Sequence, residues 1–396
     1  MTKRILFVDV NASFVNPTRN LLPLALLAAG DVRFFGPGYV SSECLARGLF
    51  SFMDQEGPFD AVISNTLVLF SDSDDPTRYA STLLASYAYH GPQEDLLYLP
   101  IIAKQFAALN PPRIVILLEN DFYNWTAREA DKILSCADFF IGFGEEFSPL
   151  LAELPHVQQE RFAQSATDIW STFSRENRQK IASHLHFVSD VEFLISPLSS
   201  RALPWSVMGV QYHARALARD ALKRAGIDPV TDTKFRKFIS LLKKTRVMRG
   251  EKRWVQKALN GSFMSRLAQT RYSFTCGSGL EMPIRKFFEI PAVGCLLVCR
   301  RFRGFEEAGF HDGVNCVVAE PDDLADVHFE LSAHPERYEA MARQGQKLIL
   351  EKHSVDARAR DLSICLDAIV SNQFHGSHWV DGHHVLRMPV EKGEAP

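Results

Sequence analysis

The sequence predicts an α/β protein built from two doubly wound, parallel-sheet domains, and three observations carry that prediction. At 396 residues the chain is longer than one ordinary hydrophobic core accommodates, so two domains are expected. Its first half alternates short, continuously apolar runs with amphipathic stretches, the pattern of buried parallel strands joined by helices. The alternation lapses over about 151–190, where the chain turns polar and helical, and then resumes.

In order, the strand-like runs of the first half are "RILFVDV" (4–10), "DVRFFG" (31–36), "FDAVISNT" (59–66), "RIVILLEN" (113–120) and "ADFFIGFG" (137–144). Helical candidates between them include "LLPLALLAAG", "LLYLPIIAKQFAALN" and "AREADKILSC". Ligands of such sheets sit at the carboxyl ends of the strands. That draws attention to Asn11–Phe14, Glu119–Asp121 and Gly144–Glu146, and so to Asn11, Asp121, Glu145 and Glu146. The domain boundary falls near 185–200, giving a first domain over 1–190 and a second over 191–354. In the second, "PWSVMG" leads into the helix "ARALARDALKRAG", "RYSFTCG" (271–277) into a Gly-rich turn, and "GCLLVC" (294–299) and "GVNCVVAE" (313–320) read as further strands. A helix over 355–372 and a tail over 373–396 complete the chain.

Composition excludes several classes. With 46% hydrophobic and 23% charged residues the chain reads as soluble and globular. The run "LLPLALLAAG" is about half of what a bilayer span needs. "MTKRILFVDV" is no signal peptide, since Asp9 interrupts it and no small-residue cleavage site follows. A cytoplasmic protein is expected. Seven cysteines without a C-x-x-C pair read as reduced, buried thiols. Charge is uneven: residues 1–192 hold 14 basic against 24 acidic side chains, a net of −10, and residues 193–396 a net of +7. One half is thereby suited to an anion.

"KFRKFISLLKKTRVMRGEKRWVQK" (234–257) holds ten Lys/Arg and one Glu among apolar residues. It is a solvated helix with a buried stripe or a basic face for anionic lipid, at the inner side of a membrane. No nucleic-acid reader motif accompanies it. The His-rich "FHGSHWVDGHH" is Gly-rich and terminal and reads as a disordered or docking tail, not a zinc site. "SDSDDP" (71–76) reads as an acidic loop, and no metal site is expected.

The chemistry concentrates in "TCGSGLEMPIRKFFEIPAVGCLLV". A strand ends at Gly277, and Gly277, Ser278 and Gly279 can offer backbone N–H groups unobstructed by Cβ. A helix beginning near Pro283 would turn its positive end to the same place, a site for phosphate. Glu281 sits in the loop. Glu289, about two turns along, could grip sugar hydroxyls, and Gly294 ends the helix. Equally, Glu281 could cap the helix and Glu289 lie on a solvated face, for a lone Gly-rich strand-to-helix turn is a weak signal.

The spacing of Glu281, Glu289 and Gly294 resembles that of the group 1 glycosyltransferases of the GT-B fold, most closely their spore-maturation-protein-like branch. "GFEEAGFHDGVNCVVAEPDDLADV" (304–327) and "HPERYEAMARQGQKLILEKHS" (334–354) are similar to the segments that follow in that family. Gly209, Tyr212 and Arg215 match the branch's Gly-x-x-Tyr-x-x-Arg. The resemblance covers roughly 205–370; in the first half it is architectural. It implies two Rossmann-like domains facing a cleft, with a nucleotide-diphosphate sugar held by the second and the acceptor by the first. It implies that Glu289 bonds the ribose, Glu281 lies beside the transferred sugar, Ser278 and Gly279 approach the donor, and Arg215 offsets the leaving phosphate. The family's Lys about five residues after that Arg has no clean match in Arg219 or Lys223, and Arg285 and Lys286 are the substitutes. "NASF" replaces the glycine pair usual after the first strand.

The reading is therefore a glycosyltransferase with no cofactor and no metal. It would move a sugar to a glycan or lipid-linked envelope or capsule acceptor in polysaccharide biosynthesis, with retention implied by the Glu pair. An inverting enzyme would need a base such as Asp121, Glu145 or Glu146. The alternatives are a sugar-nucleotide epimerase or hydrolase on the same fold, and a non-catalytic carbohydrate- or lipid-binding protein.

Overall fold

A computed structural model describes residues 2–13, 17–71, 76–117, 127–148, 164–189, 196–209, 212–231, 241, 252–278 and 281–389. The chain divides into two compact units, Met1–Leu185 with Ala359–Trp379 and His384–Pro396, and His186–Arg358 with Val380–His383.

The first unit opens with β1 (Arg4–Val8), β2 (Ala12–Ser13), α1 (Pro17–Ala29), β3 (Asp31–Phe35), α2 (Ser42–Glu56) and β4 (Ala61–Asn65). It continues through α3 (Thr66–Leu69), α4 (Pro76–Ser86), β5 (Ala88–Tyr89), α5 (Leu99–Ala107), β6 (Arg113–Ile116) and α6 (Ala127–Cys136). β7 (Phe139–Gly142), α7 (Gln164–Glu176) and β8 (Ile181–Ser183) follow. Six parallel strands form the sheet in the order β3-β1-β4-β6-β7-β8. Ile5–Val8 and all of β4 are buried, because helices cover both faces, and that is why these strands read as unbroken apolar runs. Each expected strand is present but shorter. β8 lies within the stretch read as helical and polar: three residues, Ile-Ala-Ser, are too few to show a period.

The order reverses between β1 and β4, the topological switch point where such sheets bind ligands. Asp9 and Asn65 stand at those two strand ends. Asn65 also caps α3, accepting from the Leu67 N–H at 2.9 Å.

The second unit holds β9 (Leu203–Ser206), α8 (His213–Arg224), α9 (Arg253–Ala268), β10 (Thr270–Thr275), α10 (Lys286–Ala292) and β11 (Leu296–Cys299). β12 (Val317–Val318), α11 (Leu324–Ala333) and α12 (Pro335–Lys352) follow. The parallel order is β12-β11-β10-β9. Val230 extends it beyond β9, its N–H donating to Trp205 O and its carbonyl accepting from Val207 N. Counting that bridge, the second sheet repeats the winding of the first, and its switch point falls between β9 and β10. Trp205, Val207, Leu222, Tyr272, Phe274 and Leu296 pack in its core.

α10 begins at Lys286, three residues later than expected, and has seven residues. Its end is built as expected: Gly294, at φ +68°, donates to Pro291 O and Cys295 N to Ile290 O, the paired bonds of a Schellman stop.

The chain ends with α13 (Val355–Val370) and the hairpin β13 (Ser377–Val380) and β14 (His383–Leu386). Of the two readings expected for the tail, disordered or docking, 377–386 follows the second, paired as a hairpin. Trp379, 2% exposed, donates its indole N–H to Ser183 O, so one aromatic anchors a segment whose composition suggests none. Its histidines are engaged singly: His384 bonds Ser377 Oγ at 2.7 Å, His383 lies against Lys352, and Asp381 bonds His311. Among the described residues no cluster of three or more His, Cys, Asp or Glu is placed to hold a metal ion, and no helix is long and apolar enough to cross a membrane. "SDSDDP" and the basic stretch lie mostly outside the described residues.

Candidate functional site

The segments singled out in the second half meet at the switch point of the second sheet. β9 delivers Gly209 and Tyr212, and β10 delivers Gly277, Ser278 and Glu281, on neighbouring parallel strands. Tyr212 is the N-cap residue of α8, and Arg215 sits in that helix's first turn. Although 1% exposed, Arg215 turns toward the end of β10, donating through Nη2 to Thr275 Oγ1 at 3.0 Å and to Cys276 O at 3.5 Å. The Tyr212 ring lies 4.9 Å from its guanidinium carbon, a cation–π contact that steadies it from the other side.

Lys286 reaches the same place from α10. A Cβ on Gly209 would lie 2.4 Å from Lys286 Cε, 2.8 Å from its Nζ and 2.9 Å from Arg215 Nη1. Gly209 also holds φ +105°, a backbone that only glycine enters freely. Glycine is therefore required here twice, and what its missing side chain admits is a pair of cations. Phe263 of α9 lies beneath the ammonium at 4.9 Å. The neighbouring residues shape one field. Burial pushes the Cys276 thiol up, while Arg215, Arg300 and Lys286 pull it down and Glu281 pushes it further up, so these four charges surround the end of β10.

The backbone contributes less than the sequence suggests. Ser278 N donates to Met282 O and Glu281 N to Ser278 O, each at 3.0 Å. Gly277 is a glycine because the loop folds back on it: a Cβ there would lie 2.8 Å from the Glu281 carbonyl carbon. In α10, the N–H groups of Phe287, Phe288 and Glu289 bond to Ile284 O and Arg285 O. These donors of the first helical turn are thus bonded within it, and the cations at this place are the side chains of Arg215 and Lys286. Gly279 lies outside the described residues.

Glu289 is placed differently from the expectation. It stands in the first turn of α10, not two turns along, and is 5% exposed. Arg285 Nε donates to its Oε1 at 2.7 Å. Arg285, itself buried, also donates to Phe187 O. Arg285 and Lys286 are consecutive, so a helical step separates their directions; Arg285 holds Glu289 and Lys286 joins Arg215. Arg219 is spent on Val207 O at 3.0–3.1 Å, and Lys223 is exposed. Lys286 accordingly stands where the second cation was sought. Glu281, with φ +55°, is half-buried, its Oε1 3.8 Å from Arg300 Nη1. Arg300 escaped the sequence reading. It directly follows a strand-like run, the position watched in the first half.

In the first unit the described candidates fall in two separate places. Asn11 stands at the switch point, its Nδ2 donating to Gly38 O and its Oδ1 paired with His90 Nδ1, both at 3.0 Å. His90 Nε2 reaches Ser13 Oγ at 2.8 Å. Beside them Asp9 is buried with Arg19 at 3.4 Å; burial raises its carboxyl against the pull of Arg19 and Asn65. Glu145 and Glu146 follow β7, with β4 and β6 intervening. Glu146 accepts from Ser183 Oγ at 2.5 Å, and Arg387 lies 3.9 Å away. Burial raises its carboxyl above the usual range. Asp121 lies outside the described residues.

The family described as glycosyl transferase-like matches residues 192–363, the part of the chain that contains every element of this arrangement. No curated protein sequence matches. Among solved structures, a glycosyltransferase from Rickettsia africae is similar at 11% identity and a TM-score of 0.50, over 94% of this chain and 99% of its own. HepE of Anabaena, solved in complex with UDP, is similar at 12% identity and a TM-score of 0.49, over 92% of this chain and 100% of its own. Sucrose-phosphate synthase of Thermosynechococcus elongatus is similar at 10% identity and a TM-score of 0.49, over 93% and 100%. At 11% identity the likeness to the Rickettsia africae structure is one of fold, and it agrees with the two parallel sheets expected of a GT-B protein. Residues 192–363 are thus similar to the glycosyl transferase-like family.

Proposed function

We propose, from that similarity and from the paired cations, that the protein is a glycosyltransferase whose second unit binds a nucleoside-diphosphate sugar. The observation that carries the reading is the convergence of Arg215 and Lys286 on Gly209 at the switch point. Two side-chain cations there suit two adjacent phosphates. They would offset the charge that develops as the nucleoside diphosphate departs, without needing a metal ion. Tyr212 and Thr275 hold the guanidinium in place. Glu289, its orientation fixed by Arg285, would accept from the ribose hydroxyls. Glu281 would face the transferred sugar, and Gly277 and Ser278 would pass close to the donor.

The acceptor would be a glycan or a lipid-linked precursor of an envelope or capsule polysaccharide, met by the first unit. There Asn11 follows β1 at the switch point, whereas Glu146 follows β7, away from it. Retention is proposed on the spacing of Glu281 and Glu289 alone. Peripheral contact with anionic lipid through 234–257 would bring a lipid-linked acceptor near.

The test is thermal shift and calorimetry against a panel of nucleoside diphosphates. One of them, UDP being the first to try, should raise the melting temperature. Arg215→Ala and Lys286→Ala should each weaken it by roughly 10- to 100-fold, the range of a lost charge-assisted bond. If none of the panel stabilises the wild type, the reading fails.

A further inference from the structure

We propose that Arg300 is a positioning residue that directs Glu281 and favours its ionised form. Three adjacent strand ends produce the arrangement. β10 runs into the loop bearing Glu281, β11 ends one residue before Arg300, and β12 leads to Glu320. β11 lies between the other two, so the middle strand supplies the cation and its neighbours the carboxylates. Arg300 N donates to Thr275 O at 3.2 Å, which fixes its backbone against β10. Its Nε donates to the Glu320 carboxylate at 3.0–3.2 Å, leaving Nη1 directed at Glu281, 3.8 Å away.

Glu281 holds φ +55°, a backbone that ordinarily selects glycine or asparagine. A loop with only a turn to make has no use for glutamate at that position, and strain of this kind gathers where a side chain must be aimed. The fold aims it at Arg300. Among the described residues, the charges that share this place with Glu281 are Arg300, with Glu320 behind it, and Arg215 and Lys286, which act with it on the buried, neutral Cys276 thiol at the end of β10. Both partners are a little over a quarter exposed, so water and salt temper the effect and a modest shift is expected.

What Glu281 does for a donor rests on the proposed function; its pairing with Arg300 does not, and two measurements keep these apart. The first is carboxyl-carbon NMR titration of Glu-labelled protein, with the Glu281 resonance identified by its loss in Glu281→Gln. In Arg300→Gln the midpoint of Glu281 should rise by roughly half a pH unit, and in Arg300→Lys it should return toward wild type. Identical midpoints in all three proteins would overturn the proposal, whatever the protein binds. The second is calorimetry with UDP and UDP-glucose. Arg300→Gln should leave UDP affinity within twofold and lower the added affinity of UDP-glucose over UDP several-fold, with recovery in Arg300→Lys. An unchanged increment would count against a positioning role. A wild type that binds neither would sink the donor assignment and leave the titration to decide the pairing.

Discussion

Gly209 carries more of the site than any charged residue, because its bareness lets Lys286 and Arg215 share one place. Gly209→Ala would set a Cβ 2.4 Å from Lys286 Cε at a positive φ. We expect a loss of about 1–2 kcal/mol in unfolding free energy from the backbone alone, and a fall in nucleotide affinity as Lys286 is displaced. Glu289 requires a more careful substitution than its motif suggests. Glu289→Ala would leave the buried Arg285 guanidinium without its carboxylate, at a cost of roughly 3–5 kcal/mol, and any loss of binding would be confounded with unfolding. Glu289→Gln keeps an acceptor for Arg285; chemical denaturation should show Gln well above Ala, while calorimetry shows both impaired in nucleotide binding.

At the scale of elements, α10 and the hairpin show what the sequence revealed and what it hid. The stop of α10 was legible because it depends on one glycine at one spacing. Gly294→Ala should cost about 1 kcal/mol, seen as a lower melting temperature without loss of the unfolding cooperativity. The start of α10 was not legible. Pro283 looks like a first-turn proline, but the chain makes one tight turn through 284 and 285 before the helix begins, and local hydrogen bonding of that kind leaves no periodic trace. The same turn consumed the donors assigned to phosphate. Likewise β13 and β14 were invisible among histidines and glycines because their stability comes from Trp379. Trp379→Ala should cost about 3–5 kcal/mol, as large buried aromatics do, and should expose the hairpin to limited proteolysis.

Across the whole molecule, both sheets were legible in outline because strands covered on both faces must be apolar throughout. The pairing order, and with it the switch points, depends on contacts far apart in sequence. Only the structure shows that Arg215 and Lys286 belong to one place, or that Arg300 stands beside Glu281. Buried ionisable groups also give the molecule a pH dependence. His353 is enclosed, donating through Nε2 to Ala308 O with Arg358 at its other nitrogen, and burial first, then Arg358, depress it to about 3. The unfolded chain takes up that proton near pH 6.5; the folded one does not. Stability from this group is therefore complete above about pH 6.5 and declines as the pH falls toward 3. Asp9 and Glu146, both raised by burial, act with the opposite sign. Urea unfolding between pH 7 and 5 should show wild type losing stability faster than His353→Gln.

The nearness of Lys286 to Arg215 has one more consequence. Like charges held side by side repel, and the folded chain bears that repulsion as a standing cost. Any polyanion laid across them would relieve it, so even a plain inorganic species such as pyrophosphate should tighten the second unit, and abundant monovalent salt should mute the gain. If the proposed donor binds there, selectivity for its nucleoside would come from contacts to its sugar and base.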